Sequence, residues 1–354
     1  MSAAPGWGVW IEPLLPVPQL VDLVRLAEDS GAGYAFIADE GTDRDVWVAL
    51  AAIALGTRRI RLVTGITNPF SRHPVATAAA FASLEELAPG RIIAGFGVGG
   101  SRVLGPMAIA PSKPFTALRE TVEVVDRLLA REEVTFNGEI HLDAARIPWS
   151  PRRLPIATAG RGPRVEAFGS EVGDWNLVAG KPLVEVPGLL GRLRAANPER
   201  PARIAWSTYV AWSPEMIEEI RPHFTYATVD MPPETRALLG IDAATTERIR
   251  EVMLRDGLHA AAHLVPDAVI HATAVVGDRQ LVIERLDAIR RSAAPDLFVL
   301  AMNGYSTAAA LIAEAAPLIH AAGFALATFE DTDGPRTRPF IRPVAQVAAV
   351  TSNR

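Results

Sequence analysis

The 354-residue chain is 49% hydrophobic and 21% charged, a globular balance that excludes wholesale disorder and allows a large buried core. Its net charge of −5, with Lys and Arg scattered rather than in runs, leaves no electrostatic footprint for nucleic acid or an anionic membrane. The absence of cysteine excludes disulfides, thiolate catalysis and cysteine-ligated metal centres, so redox chemistry must come from a bound organic cofactor or another kind of metal site.

From the N-terminus, residues 8–11 predict a first strand and 18–29 an amphipathic helix, with Leu20, Leu23, Val24 and Ala27 on one face. Gly31 and Gly33 stop that helix. A second strand at 34–38 is followed by a polar loop at 39–45 and a helix at 46–55. The third strand, 60–64, runs into Thr64-Gly65-Ile66-Thr67-Asn68-Pro69, where β-branched residues mixed with Gly and Pro fit a bulge or sharp turn. Pro74 opens a helix over 75–87, which Pro89-Gly90 breaks. A fourth strand at 91–94 leads into Gly95-Phe96-Gly97-Val98-Gly99-Gly100, where missing side chains let backbone N–H groups approach an anion or a planar ring.

A helix at 115–130 and a small strand or hairpin at 135–142 precede the fifth strand, 155–158. The turn Ala159-Gly160-Arg161-Gly162-Pro163 enters a helix at 164–168, and 174–178 and 204–212 read as the sixth and seventh strands. Between 214 and 266 the rhythm fails, giving charged, Pro-containing helical stretches that read as an inserted cap or oligomer contact. Barrel order resumes at Ala274: Gly277-Asp278 caps a helix through 289, 296–301 is the eighth strand and 305–322 the last helix. Such units predict the α/β class and a (β/α)8 TIM barrel over 1–330, including the 214–266 insertion, with an extended Pro-rich tail at 331–354. A doubly wound sheet is the competing reading. It is disfavoured because the glycines read G-x-G-x-G-G, lie on the fourth strand, and precede Pro106, Pro111 and Pro114, which argue against a helix opening directly after them.

The segment ADEGTDRDVWVALAAIALGTRRIRLVTGITNPFSRHPVATAAAFASLEELAPGRIIAGFGVGG resembles the bacterial luciferase-like superfamily, specifically the coenzyme F420-dependent branch typified by methylenetetrahydromethanopterin reductase. The resemblance extends through IATAGRGPRVEAFGSEVGDWN and resumes at VVGDRQLVIERLDAI. It implies a barrel that binds a flavin or deazaflavin at the C-terminal mouth of its strands. On this basis Thr64, Gly65, Ile66, Thr67 and Asn68 match a third-strand bulge, where a non-prolyl cis peptide at Gly65–Ile66 backs the deazaflavin ring. Gly97, Val98, Gly99, Gly100 and Ser101 match a segment near the cofactor's polar side chain. Thr158 with Gly160, Arg161, Gly162 and Pro163 matches the phosphate-side turn, to which Arg161 and Arg164 add charge. Asp39 matches an aspartate beside the ring's polar edge.

The departures bear on the chemistry. Asp39-Glu40 stands where the family often has Asp-His, and Trp10 where the reductase branch carries an acid, with Glu12 two residues on. Gly100 replaces an Asp of the glycine loop. The implied reaction is hydride transfer between C5 of reduced F420 and a C=C, C=N or C=O carbon of a small molecule or modified peptide. Glu40 is the first candidate proton donor, followed by Glu12, His73 and Tyr209, with Asp39 a further catalytic candidate. His73, preceding a helix-initiating Pro, reads equally as a structural cap. Trp10, Trp206 and Tyr209 are the substrate-pocket candidates. His259, His263 and His271 lack an accompanying carboxylate pattern, so no metal site is expected. The alternatives are an FMN-dependent monooxygenase on the same barrel and a non-catalytic flavin-binding barrel. A homodimer is expected, with the apolar barrel helices as its face. A signal region and an apolar run approaching the roughly 18 residues of a membrane span are both missing, so a cytoplasmic protein without membrane partner is expected.

Overall fold

A computed structural model describes residues 4–160, 162–302 and 306–325. In chain order the strands are β1 (Gly6–Ile11), β2 (Tyr34–Ile37), β3 (Arg61–Thr64), β4 (Ile92–Phe96), β5 (Val134–Asn137), β6 (His141–Ala145), β7 (Ile156–Ala159), β8 (Trp175–Ala179), β9 (Arg203–Thr208), β10 (Val210–Ala211), β11 (Val275–Val276) and β12 (Leu297–Ala301). Among the described residues, parallel strands close into a barrel in the order β1-β12-β9-β8-β7-β4-β3-β2. The hairpin β5–β6 and the short parallel pair β10–β11 lie outside it. The predicted (β/α)8 class is therefore the observed one, and the glycine motif ends a barrel strand.

The helices are α1 (Val17–Asp29), α2 (Val46–Gly56), α3 (Pro74–Leu87), α4 (Ser101–Leu104), α5 (Pro114–Leu129), α6 (Pro163–Val172), α7 (Val186–Ala195), α8 (Pro214–Ile220), α9 (Phe224–Val229), α10 (Pro233–Leu238), α11 (Ala243–Asp256), α12 (Leu258–Ala261), α13 (Asp267–Thr273), α14 (Arg279–Ala293) and α15 (Ala308–Ala321). The strands read as nearly continuous apolar runs because both of their faces are buried. Alternation along the strands sends Tyr34, Phe36, Val63, Ile93, Ala157, Leu177, Ala205 and Val299 into the barrel interior. Their neighbours Val9, Ile37, Leu62, Phe96, Trp206 and Phe298 face the helices. At the N-terminal end of the barrel, the buried Glu28 carboxylate of α1 accepts the N–H groups of Arg58, Arg59 and Ile60, tying the first helix to the start of β3.

Four local expectations are corrected. A one-turn helix, α4, does open immediately after the glycines; Pro106 only limits its length, since proline is excluded from a helix interior. The seventh strand, expected as one run over 204–212, divides: β9 stays in the barrel, whereas β10 leaves it to pair with β11, placing Tyr209 at the break. Helix α7 was not legible because Pro187, Gly188 and Gly191 obscure its period, although Val186, Leu189, Leu190 and Leu193 form a buried face. The insertion extends beyond 266, through α13, and packs its own small core of Ile249, Met253 and Ala261. Tyr305 and the 331–354 tail lie outside the described residues.

Candidate active site

The mouth of the barrel is built first by the ends of β3 and β4. The Thr64 hydroxyl donates to the Gly95 carbonyl and accepts the Gly95 N–H, both at 2.8 Å, so it stitches the two strands and is committed within the sheet. The next peptide bond, Gly65–Ile66, is cis, in agreement with what the resemblance implies. Ile66 turns over the barrel interior beside Trp10 and Ala159, and the Trp10 indole N–H donates to the Gly65 carbonyl. A Cβ at position 97 would lie 2.1 Å from Ile66 Cδ1 and 3.0 Å from the Ala159 carbonyl oxygen, so glycine here leaves the space that the Ile66 side chain fills. Asn68 Oδ1 accepts the N–H groups of Phe70 (2.9 Å) and Ser71 (3.0 Å), closing an Asx turn that carries the chain toward α3.

On the rim beside this bulge, Thr67 Oγ1 donates to Asp39 Oδ2 at 2.7 Å, fixing the carboxylate that follows β2. Burial raises the Asp39 carboxyl above its ordinary range, outweighing the Thr67 bond, which acts the other way. Glu12, directly after β1, is 4% exposed and ion-paired with Arg102 of α4. The same guanidinium places its Nε 3.6 Å from Glu40. Burial, reinforced by the nearby Asp43 and Asp39 carboxyl groups, pushes Glu40 up to about 7. Above them stand side chains from the β9–β10 break and the insertion: the Tyr209 ring lies 6.0 Å from His223 and 5.4 Å from Phe224. Burial, helped by the positive charge of Arg102, pushes His223 down to about 4, so its imidazole is neutral near pH 7. Tyr226 of α9 is raised by burial and is electrostatically coupled to both Arg102 and Glu40.

The structure thus brings together Trp10, Glu12, Asp39, Glu40, Gly65, Ile66, Thr67 and Gly97, and it adds Arg102. No sequence signal singled out this arginine. Its partners come from the loops after two other strands, and it stands alone in an apolar, glycine-rich stretch. Several expected residues lie elsewhere. Trp206 is 1% exposed and packs on Phe298 at 5.3 Å in the helix layer, because its neighbour Ala205 takes the inward position on β9. Thr158 is turned out of the barrel toward Asn176 Oδ1, 3.0 Å away, in a buried network that includes Ser170. His73 is exposed, and its Nδ1 accepts the Val75 N–H at 3.3 Å as the N-cap of α3.

At the fifth-strand turn, Gly160 packs against Val165, and Gly162 and Pro163 begin α6 without a side-chain cap. Pro163 carries no N–H, and the N–H groups of Val165 and Glu166 both donate to the Gly162 carbonyl at 3.1 Å, so this turn largely satisfies its own backbone. Arg164 lies over the Phe115 ring at 4.6 Å. In the glycine loop, Val98 is half-buried, Gly99 has φ +75°, and a Cβ at Gly100 would meet nothing within 4 Å. Arg161 and the Ser101 side chain lie outside the described residues.

The profile of the luciferase-like monooxygenase family matches residues 5–296. The 5,10-methylenetetrahydromethanopterin reductase of Archaeoglobus fulgidus is 34% identical over 173 residues, covering 49% of this chain and 52% of the relative. An F420-dependent glucose-6-phosphate dehydrogenase of Kineococcus radiotolerans is 34% identical over 172 residues, covering 44% of this chain and 50% of the relative. The chain spans about half the length of these relatives. The solved coenzyme F420-dependent tetrahydromethanopterin reductase of Methanopyrus kandleri shares the fold with a TM-score of 0.79 at 22% identity, covering 90% of this chain and 99% of that one. With a family match running from β1 almost to β12, and the closed parallel barrel to accompany it, the chain belongs to the luciferase-like monooxygenase family.

Proposed function

We propose that the chain is an F420-dependent oxidoreductase that moves a hydride between the reduced deazaflavin and a C=C, C=N or C=O carbon of a small molecule or modified peptide. The observation that carries this reading is the Asp39 carboxylate after β2, held by Thr67 of the turn that follows β3. The F420 dependence named for two similar proteins supports it.

The residues present fit a flat heterocycle with a polar edge and an anionic tail. Asp39 offers an oriented acceptor, and a Cβ at Gly100 or Gly162 would meet nothing within 4 Å, so the backbone of both glycine turns is open to close approach. Gly65, Ile66, Thr67 and Asp39 would hold the ring, and Gly97 to Gly100 with Gly160 to Pro163 the tail. Bound there, the deazaflavin supplies two-electron hydride chemistry. Glu40 contributes the proton: with its carboxyl near 7 it keeps a hydrogen that it can give to the acceptor's oxygen or nitrogen. Trp10 and the insertion side chains Tyr226 and His223, with Tyr209, wall the approach and exclude water.

Titration of the purified protein with F420 and, separately, with FMN tests the reading, using quenching of its seven tryptophans as the signal. Saturable quenching by F420 at micromolar concentration is expected. Preference for FMN would replace the reading with the flavin monooxygenase, and binding of neither would leave a barrel without redox function.

The same proposal includes a homodimer formed through α2. That helix, VWVALAAIALG, is apolar on every side, yet Val48 is 60% and Leu55 73% exposed. An all-apolar helix ordinarily has both faces covered. Light scattering is expected to give a dimer mass for the native chain and a monomer mass for Leu55→Arg; a monomeric native chain would sink this part of the proposal.

A further inference from the structure

We infer that Arg102 is a positioning residue that sorts the two carboxyl groups of the mouth, holding Glu12 as its anionic partner and leaving Glu40 to carry the transferable proton. The inference rests on the reading of Glu40 as proton donor and deepens it by naming what keeps the donor charged with its proton. Three elements converge on the point: the end of β1 supplies Glu12, the loop after β2 supplies Glu40, and α4 supplies Arg102.

The two acids do not compete equally. Both pair with the guanidinium, but Glu12 is the more deeply buried and the closer partner, whereas Glu40 stands 3.6 Å from Arg102 Nε. A single guanidinium cannot neutralise two carboxylates in a pocket sheltered from water, and keeping one proton costs less than confining an unpaired anion. The acid that holds the cation stays ionised, and its neighbour keeps the proton, the division by which paired carboxyl groups acquire different roles.

Among the described residues, the other groups that act on Glu40 do so in the same sense. Asp39 and Asp43, from its own loop, disfavour a further negative charge. Tyr226 of α9 is a phenol raised by burial, and Tyr209 and His223 surround Arg102 without adding a cation near pH 7. During reduction the π bond of the acceptor C=X breaks, hydride adds at carbon, and the Glu40 proton bonds to X. The two electrons that the acceptor gains would come as the hydride that the bound deazaflavin supplies, and the proton then left on the oxidised ring would pass to solvent. Glu40 is then a carboxylate facing Arg102, and a solvent proton restores it.

The test is a pH titration of the cofactor-free full chain labelled with 13C at the glutamate carboxyl groups and followed by NMR. A signal with a midpoint near 7 is expected in the native protein and absent in Glu40→Gln. In Glu12→Gln the guanidinium turns to Glu40, and the midpoint is expected to fall by about one pH unit or more, a tenfold change in proton affinity. Arg102→Gln is expected to move it upward, and Arg102→Lys to bring it back toward the native value. The inference is overturned if the midpoint is unmoved in Glu12→Gln, or if the signal disappears in that variant and persists in Glu40→Gln. Should Glu12→Gln not fold, the Arg102 pair decides alone: equal midpoints in the Gln and Lys variants overturn the inference. F420 binding measured on the same samples separates the two readings. Failure to bind F420 with the expected titration removes the cofactor assignment and leaves the sorting intact, and the opposite pattern removes only the sorting.

Discussion

Glu40→Gln is expected to slow hydride transfer by about 10²–10⁴-fold while F420 binding persists, because the amide fills the same space and cannot donate an acidic proton. The pH dependence follows from the direction of the shift. The donor form is the protonated acid, so with a carboxyl near 7 the reductive rate is highest in acid and falls about tenfold per pH unit above that value. Stability moves with the opposite consequence for the variant. The folded state raises this carboxyl above its ordinary value, so its contribution to stability is fully present below the ordinary carboxylate range and is lost as pH rises through about 7. Glu40→Gln removes that dependence and is expected to melt no lower than the native chain at alkaline pH. Single-turnover oxidation of the reduced cofactor by the best acceptor from a substrate screen, together with a thermal melt, checks both statements. An unchanged rate with unchanged pH dependence would remove Glu40 from the chemistry.

Gly95→Ala is expected to cost more than about 3 kcal/mol and to abolish F420 binding at temperatures where the native chain is folded. A Cβ at this position would lie 1.9 Å from the Thr64 carbonyl oxygen, which is backbone and cannot swing aside. Retreat of either strand is opposed by the two 2.8 Å bonds between the Thr64 hydroxyl and the Gly95 peptide groups. Relief would therefore require separating β3 from β4 at the point where both turn into the mouth. Urea denaturation measures the loss, with Gly100→Ala as the control: its Cβ meets nothing within 4 Å, so its midpoint is expected to stay at the native value. A native midpoint for Gly95→Ala would mean that the strands are not packed this closely in solution.

These two positions differ in how far they were legible beforehand. The glycine-rich end of β4 stands out in the sequence, and close approach of backbone is the physical reason for such a run. What approaches is another matter: Gly95 accommodates Thr64 and Gly97 accommodates Ile66, so part of the motif serves strand packing rather than a ligand. Glu40 was noticed as an acid replacing an imidazole, but its proton depends on burial and on Asp43, Asp39 and Arg102. Trp10 and Trp206 illustrate the same limit. Each is a tryptophan near the C-terminal end of a strand, yet Trp10 faces the barrel interior and Trp206 the helix layer. Alternation specifies that neighbours face opposite ways; only the barrel's closure and register decide which parity is inward.

By itself the sequence determined the eight barrel strands and most of the helices between them, the barrel class and the two loops that build the mouth, because apolar period, caps, proline and glycine act over a few residues and leave local marks. The tertiary structure alone decided which tryptophan reaches the site, which threonine hydroxyls are committed within the fold, and that Arg102 meets Glu12 and Glu40. Those outcomes depend on strand register, burial and charge between groups from separate strands, and such long-range quantities have no local pattern to announce them.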